Sequence, residues 1–257
     1  MHFCSMNSGL KKICILCWGL WALACGRKAE TPTARQVVDR AIEASGGAAY
    51  QTSRIKFTFR DRQYESFWER GQHVLKRITV TDTNRIEDVL KGTSFRRQID
   101  GQVVSLADTT RQKLSDAVNS VHYFAYLPFG LNDGAVRKTY LGRQPLKQSE
   151  YHKIEITFEQ EGGGTDYQDV FVYWFHPETY LPEYLAYSYQ TNGGGMRFRE
   201  AYNERWIGGI RFVDYRNYAY SGPLPVTALD SLYEAGELEL LSLIELEEIE
   251  VTPDSYN

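Results

Sequence analysis

The chain has 257 residues, of which 42% are hydrophobic and 24% charged, and its net charge is −4. This length and composition are typical of a chain that buries a core of its own rather than of a disordered one. Its 29 basic residues are spread among 33 acidic ones, without the basic cluster that nucleic-acid binding requires, so we expect no nucleic-acid partner.

The N-terminal segment has the pattern of a secretory signal. Lys11 and Lys12 precede twelve uncharged residues, 13–24, and Cys25 follows them directly. A basic region, a short apolar run and small residues before the cut are typical of such a signal. The run is shorter than the ~20 residues of a membrane-spanning helix. The sequence therefore predicts a signal peptide over residues 1–24.

The residues around the predicted cut also indicate a lipid anchor. Ala22-Leu23-Ala24-Cys25 resembles a bacterial lipobox, whose cysteine receives a diacylglycerol before cleavage. We therefore expect lipidation at Cys25, a tether over residues 25–32 and a single domain over residues 33–257. Loss of Lys11 and Lys12 with the signal lowers the net charge to −6. The predicted location is the bacterial cell envelope, at the outer membrane facing the periplasm.

One amphipathic helix is predicted directly after the tether. Thr33 and Gln36 have the spacing of a capping box, and Gly46-Gly47 is a typical helix end. Apolar residues recur between them at helical spacing, namely Val37, Val38, Ala41, Ile42 and Ala44.

Most of the remaining chain alternates apolar and polar residues, as strands with one buried face do. Short turns between these strands, such as Asp100-Gly101, favour an antiparallel meander. The continuous apolar run 170–175 predicts a central strand covered on both faces. Residues 221–236 are predicted to be a crossing loop. The other strands are predicted at 55–60, 64–69, 73–80, 85–90, 95–99, 102–106, 154–158, 182–189, 196–206, 210–220 and 238–251.

Residues 121–131 differ from this pattern, because they are densely apolar without strand alternation or sustained helical spacing. Pro128 and Gly130 exclude a regular strand, and residues 110–120 before them suit a short exposed helix. Two interpretations remain open. The segment either fills the core as a plug or covers a cavity as a lid.

Aromatic residues make up 14% of the chain and lie mostly in the predicted strands. Eight of them would suit either a concave apolar surface or a packed core, because aromatic residues favour strands in any protein; they are Phe57, Phe59, Phe67, Trp68, Phe171, Tyr173, Trp174 and Tyr187. Two late strands carry Arg197, Arg199 and Arg211. These arginines either face water or stand at the rim of a cavity, where they would meet anionic head groups. The candidate ligand-binding residues are Phe57, Phe59, Trp68, His122, Tyr123, Phe124, Leu127, Phe129, Tyr173, Arg197 and Arg199.

No known catalytic motif is present, so we expect neither an enzyme nor a bound cofactor. Asp166 and Asp169 carry oxygen ligands, but they lack the spacing of a calcium loop. The histidines after the signal lack metal-ligand spacing, and no metal site is predicted; they are His73, His122, His152 and His176.

The chain resembles the LolA/LolB-like group of periplasmic lipoprotein carriers and receptors. The likeness depends on the helix that ends at Gly46-Gly47, the long meander, and the strand pair of residues 170–177 and 180–184. Residues 57–60, 126–130 and 197–200 look more narrowly like a bacterial lipoprotein family without assigned chemistry.

This resemblance implies a mainly β fold with few helices. It would be a strongly curved antiparallel half-barrel, with an N-terminal helix, a plugging or lid segment and a cavity for acyl chains. The function expected on this basis is non-enzymatic binding of a lipid or other hydrophobic ligand by a monomer. The alternatives are an envelope module whose barrel is filled and, from a different class, a hydrolase.

Overall fold

A computed structural model describes residues 31–190 and 193–254, so the predicted signal, Cys25 and most of the tether lie outside the described residues. Residues 32–254 form one compact unit. Its helices are α1 (Ala34–Ser45), α2 (Ala49–Thr52), α3 (Asp108–Ala125) and α4 (Leu229–Ala235). The first strands are β1 (Ser53–Phe59), β2 (Arg62–Glu69), β3 (Gln72–Val80), β4 (Arg85–Lys91), β5 (Ser94–Ile99), β6 (Gln102–Val103) and β7 (Val136–Leu146). The remaining strands are β8 (Ser149–Phe158), β9 (Val170–Phe175), β10 (Pro182–Tyr189), β11 (Gly195–Ile207), β12 (Ile210–Tyr220), β13 (Glu239–Ile244) and β14 (Glu247–Pro253).

The strands form two antiparallel sheets of seven strands each, which confirms the predicted mainly β, antiparallel fold class. The order is β14-β1-β2-β3-β4-β5-β6 in the first sheet and β13-β12-β11-β10-β9-β8-β7 in the second. Consecutive strands β13 and β14 belong to different sheets, so the chain joins the sheets there. In the described residues, the end strands β6 and β7 do not pair, and the arrangement stays open.

One apolar core is shared by both sheets, which therefore curve around it. It contains Phe57 of β1, Phe175 of β9 and Val38 of α1, all at most 2% exposed. Among the described residues, every buried member of this core lies between residues 34 and 246, and the chain from Pro32 onward forms one compact unit. We expect this unit to fold on its own.

The N-terminal helix forms as its sequence predicts. The Thr33 hydroxyl accepts a hydrogen bond from the Gln36 backbone N–H, and the Gln36 side chain accepts one from the Thr33 N–H. This capping box satisfies backbone donors that would otherwise lack partners at the helix start. Gly46 ends the helix at a φ of 146°, a conformation in the left-handed half of the map that favours glycine.

Strand β9 is covered on both faces, as its continuous apolar run predicts. Tyr173 and Phe175 face the shared core, whereas Val172 and Trp174 belong to a second apolar cluster. Helix α4 contributes Leu229 and Leu232 to this second cluster. The second sheet therefore packs against apolar side chains on both sides.

Two segments near the C-terminus differ from the prediction. Residues 238–251 form β13 and β14 rather than one strand, because the chain turns at Glu245 and Leu246 to enter the other sheet. Residues 221–236 are not only a loop, since they contain a 3₁₀ turn (Val226–Ala228) and α4. The prolines of that segment precede the turn and leave the helix intact.

The middle of the chain also differs. Helix α3 continues to Ala125 instead of ending at residue 120, because Val118, His122 and Ala125 form a buried stripe at helical spacing. Strand β7 was not predicted, since polar side chains dominate its exposed face. The strand predicted at 102–106 is limited to the two residues of β6.

Candidate functional site: an aromatic cleft beside helix α3

A cleft of about 440 Å³ opens between α3 and the second sheet, and we call it the α3 cleft. Its aromatic lining consists of Phe59, Tyr123, Phe124, Phe158, Phe171 and Tyr187. Its other lining residues are Arg60, Asn119, Ser120, Gly163, Asp166, Asp169, Arg199 and Ile244. The volume lies within the ~300–1,000 Å³ that is usual for small-molecule sites.

The sheet side of the α3 cleft is a continuous aromatic surface. Phe171 on β9 lies directly opposite Tyr187 on β10 in the strand register, and the two rings stack with centroids 5.1 Å apart. Phe158, at the end of β8, meets the Phe171 ring edge to face at 5.8 Å. Because alternate residues of a strand share a face, this surface follows from the strand pairing.

The opposite side of the cleft comes from β1 and the last turns of α3. Phe59 packs edge to face against Phe124, with ring centroids 5.2 Å apart. Tyr123 and Phe124 are both half-buried and face the cleft from the helix. Two elements that are distant in sequence therefore close one apolar space.

Arg199 is the principal cation inside the α3 cleft. It lies on β11, where its neighbour Phe198 belongs to the apolar cluster on the other face of the sheet. Its Nη2 donates to the Tyr187 hydroxyl at 3.0 Å, and its Nε donates to the Asn217 side-chain oxygen at 3.4 Å. The guanidinium also lies over the rings of Phe124 and Tyr187, at 5.5 and 5.0 Å from their centroids. Its partners are therefore neutral groups.

Two buried phenol hydroxyls have no hydrogen-bond partner among the described residues. They belong to Tyr123, which lines the cleft, and to Tyr173, which is 0% exposed. Burial raises the pKa of both hydroxyls, and the charge of Asp133 raises that of Tyr123 further. Both phenols are therefore neutral hydrogen-bond donors at physiological pH.

Two acidic residues lie at the loop side of the cleft. Asp166 is exposed, whereas Asp169 is half-buried. Burial, with the charge of Asp166 adding to it, raises the pKa of Asp169 to about 6. No group of three or more metal-ligating side chains occurs among residues 31–190 and 193–254.

Four of the eleven predicted ligand-binding residues line the α3 cleft: Phe59, Tyr123, Phe124 and Arg199. Tyr173 lies behind this lining, in the shared core. Phe57 and His122 are also core residues, and their rings meet at 5.8 Å. The His122 Nε2 donates to the Lys76 carbonyl at 2.9 Å, and burial lowers the pKa of His122 to about 3. His122 is thus a neutral residue of the core.

The remaining predicted residues lie away from this space. Trp68 stacks on His73 at 4.8 Å and donates to the Tyr50 carbonyl. Phe129 stacks on Tyr50 at 4.8 Å, and Leu127 is buried in the shared core. Residues 126–131 therefore act as the plug interpretation predicts, and only Tyr123 and Phe124 of the segment face the cleft.

Arg197 lies elsewhere on β11, in a shallower surface depression beyond the α3 cleft. Its guanidinium lies 5.2 Å from the centre of the Tyr189 ring. Among the other lining residues, Phe171 and Tyr187 belong to the concave aromatic surface that the sequence predicts, whereas Phe158, the last apolar residue of the alternating run 154–158, was not predicted there.

None of the described helices is long and apolar enough to cross a membrane. This finding concerns the described residues only.

A family model, the family of unknown function DUF6503, matches residues 32–246, so the chain belongs to that family. This confirms the predicted membership of a family without assigned chemistry. A comparison with curated proteins returns no match.

The chain is similar to several solved structures. One is a LolA superfamily protein from Nitrosomonas europaea, at 13% identity over 86% of this chain and 94% of that chain, with a TM-score of 0.46. Another is a DUF1329 family protein from Desulfovibrio piger, at 10% identity over 86% and 93%, with a TM-score of 0.42. A third, from Vibrio parahaemolyticus, is described as an outer membrane lipoprotein-sorting protein domain, at 8% identity over 72% and 86%, with a TM-score of 0.41. What this chain binds is inferred from the chemistry of its own cleft.

Proposed function

We propose that the protein is a cell-envelope lipoprotein that binds a lipid or another hydrophobic molecule in the α3 cleft, without catalysing a reaction. The lipid on Cys25 would hold it at the outer membrane, on the periplasmic side. The domain would work as a monomer.

The observation that carries this proposal is the convergence of six aromatic side chains on one space of about 440 Å³. An acyl chain in this space would exchange contact with water for contact with the aromatic rings. Its burial contributes ~0.8 kcal/mol per methylene group. The cleft is also accessible to solvent between α3 and the 159–169 loop. These features suit uptake of an elongated apolar ligand.

A second candidate is a filled structural module. The plug of residues 126–131 favours it, because Leu127 and Leu131 occupy the core under the first sheet. The plug leaves the α3 cleft open, however, and we therefore favour binding over a purely structural role.

The test is native mass spectrometry of residues 26–257, purified without detergent. The proposal expects a retained apolar ligand or, after extraction with organic solvent, stoichiometric binding of a fluorescent fatty acid. Phe158→Asp should abolish this binding, because it places a charge against the aromatic wall. Val80→Asp is the matched control, since Val80 is 65% exposed and lies outside the cleft.

An empty domain that also fails to bind the probe after extraction would contradict the proposal and favour the structural module. Equal loss of binding in Phe158→Asp and Val80→Asp would contradict the α3 cleft as the site. Thermal unfolding of both variants would show that the fold is retained.

A further inference from the structure

We infer that the α3 cleft selects amphiphiles with an anionic, oxygen-rich head group, which Arg199 and the hydroxyl of Tyr123 hold against the wall of the cleft. The inference rests on the proposed function and adds the chemical class of the ligand. A long-chain carboxylate and an alkyl phosphate share the required chemistry.

The first argument is the uncompensated charge of Arg199. Its side chain donates hydrogen bonds to the Tyr187 hydroxyl and the Asn217 side-chain oxygen, both neutral. None of the ion pairs found among the described residues includes Arg199, whereas the buried Arg77 and Arg211 each pair with a carboxylate. A half-buried guanidinium is costly without an anionic partner. An anionic ligand would supply that partner.

The second argument is the geometry of the guanidinium. A guanidinium carries five N–H donors in a planar fork, which matches two carboxylate or phosphate oxygens at once. The Nε and Nη2 atoms of Arg199 already donate to protein groups, while no acceptor for Nη1 is found within the part of the chain that the structure describes. Asn217 and Tyr187 thus fix the plane of the fork and leave donors for a ligand.

The third argument is the phenol hydroxyl of Tyr123, a residue that lines the cleft. The hydroxyl is buried, and no hydrogen-bond partner is found for it within the described residues. Such groups are uncommon in folded proteins. A phenol hydroxyl can donate to an acceptor, and the oxygen-rich head group that pairs with Arg199 would supply one.

Three acidic residues lie near this arrangement. Asp166 is exposed on the 159–169 loop, and Asp169 precedes β9. The third is Asp133, whose charge acts on the Tyr123 hydroxyl and whose own pKa is raised by burial. Burial therefore favours the neutral form of Asp133 and weakens its repulsion of an anionic head group.

The experiment compares ligands that share a sixteen-carbon chain and differ in the head group. Palmitate, hexadecyl phosphate and hexadecanol compete with a fluorescent fatty acid for residues 26–257, which include the compact unit from Pro32 onward. We expect both anions to bind at least tenfold more tightly than hexadecanol. Acetate and inorganic phosphate at millimolar concentration should not displace the probe, because they lack the chain.

Arg199→Gln is expected to remove most of the preference for the anions while it leaves hexadecanol binding within a few-fold. Tyr123→Phe should weaken anion binding severalfold without changing hexadecanol binding, and it keeps the aromatic wall. Arg216→Gln is the control, because Arg216 pairs with Glu200 and does not line the cleft. If Arg199→Gln fails to fold, the loss of the preference for anions in Tyr123→Phe becomes the test, and an unchanged preference in that variant would overturn the inference.

Equal affinity for palmitate and hexadecanol in the unchanged protein would overturn the inference and leave the proposed function intact. Failure of all three amphiphiles to bind would overturn both. Displacement of the probe by acetate or inorganic phosphate alone would indicate a plain anion site and would also overturn the inference.

Discussion

The guanidinium of Arg199 donates to the Tyr187 hydroxyl at 3.0 Å, and the same cation lies 5.0 Å from the centre of the Tyr187 ring. Tyr187 in turn stacks on Phe171. One side chain thus connects the charged end of the α3 cleft to its aromatic wall. This relationship has a consequence for stability as well as for binding.

Replacement of Arg199 by leucine should stabilise the empty domain. The substitution removes a half-buried cation that has no acidic partner, at a site surrounded by aromatic rings. Binding sites often reduce stability in this way. We expect a gain of ~0.5–1 kcal/mol in the free energy of unfolding, measured by urea denaturation after extraction of ligand. A loss of more than 1 kcal/mol would show that Arg199 mainly supports the fold.

Asp88 should be essential for the first sheet. It is 1% exposed, and it accepts hydrogen bonds from Arg77 and Arg97 at distances between 2.6 and 3.2 Å. Removing one partner of a buried ion pair costs about 3–5 kcal/mol, because the other charge stays buried. Asp88→Asn should therefore lower the free energy of unfolding at pH 7 by an amount of this order.

The same residue predicts a pH dependence. Burial alone would raise the pKa of Asp88, but hydrogen bonds from Arg97 and Arg77 outweigh it and hold that pKa below its ordinary value. The stabilisation is therefore complete above the unfolded pKa of about 3.9 and is lost as the pH falls through the lower folded pKa. The difference between the unchanged protein and Asp88→Asn should shrink below pH 4. A constant difference down to pH 2 would contradict this assignment.

Helix α4 should depend on one buried ion pair for its attachment. Lys153 Nζ on β8 donates to Asp230 of α4 at 2.6 Å and to the Thr227 carbonyl at 2.7 Å, and Trp174 Nε1 also donates to Asp230. Asp230→Ala leaves Lys153 buried without its acid and should cost about 3–5 kcal/mol. Lys153→Met combined with Asp230→Leu should recover most of that loss. Amide hydrogen exchange would measure this effect, and we expect faster exchange in residues 226–236 of Asp230→Ala. Unchanged protection of these residues would contradict the prediction.

The plug and lid interpretations make opposite predictions for Phe129. Its ring stacks on Tyr50, which is 3% exposed and bonded to the Ser45 carbonyl. Phe129→Asp should therefore place an unpaired charge in the core and cost several kcal/mol. Loss of cooperative thermal unfolding is the expected outcome. Retained folding with weaker probe binding would favour the lid instead.

The sequence predicted most strands because their apolar residues alternate and their turns carry glycine. It also predicted α1, whose cap is local to Thr33 and Gln36. It missed β7, whose exposed face is polar, and the corner at Glu245, where the alternation continues while the strand changes sheets. The alternation of residues along the chain does not show which neighbouring strand each segment pairs with.

The candidate site was predicted less completely, for a physical reason. Alternation shows which residues share a face of one strand, and it identified Phe59 and Arg199 in this way. It does not show where α3 lies along the sheet. The helix covers Phe57 and Tyr173 and leaves Phe158, Phe171 and Tyr187 open. The position of the cleft therefore depends on tertiary packing.

Photo-crosslinking with a diazirine-labelled fatty acid tests the central claim most directly. The labelled residues would be mapped by peptide mass spectrometry on residues 26–257, with excess palmitate as competitor. We predict competable labelling within the α3 cleft, at Phe124, Phe158, Phe171 or Tyr187. Labelling confined to the exposed leucines of β13, which are Leu240, Leu241 and Leu243, or labelling that palmitate does not reduce, would contradict the claim.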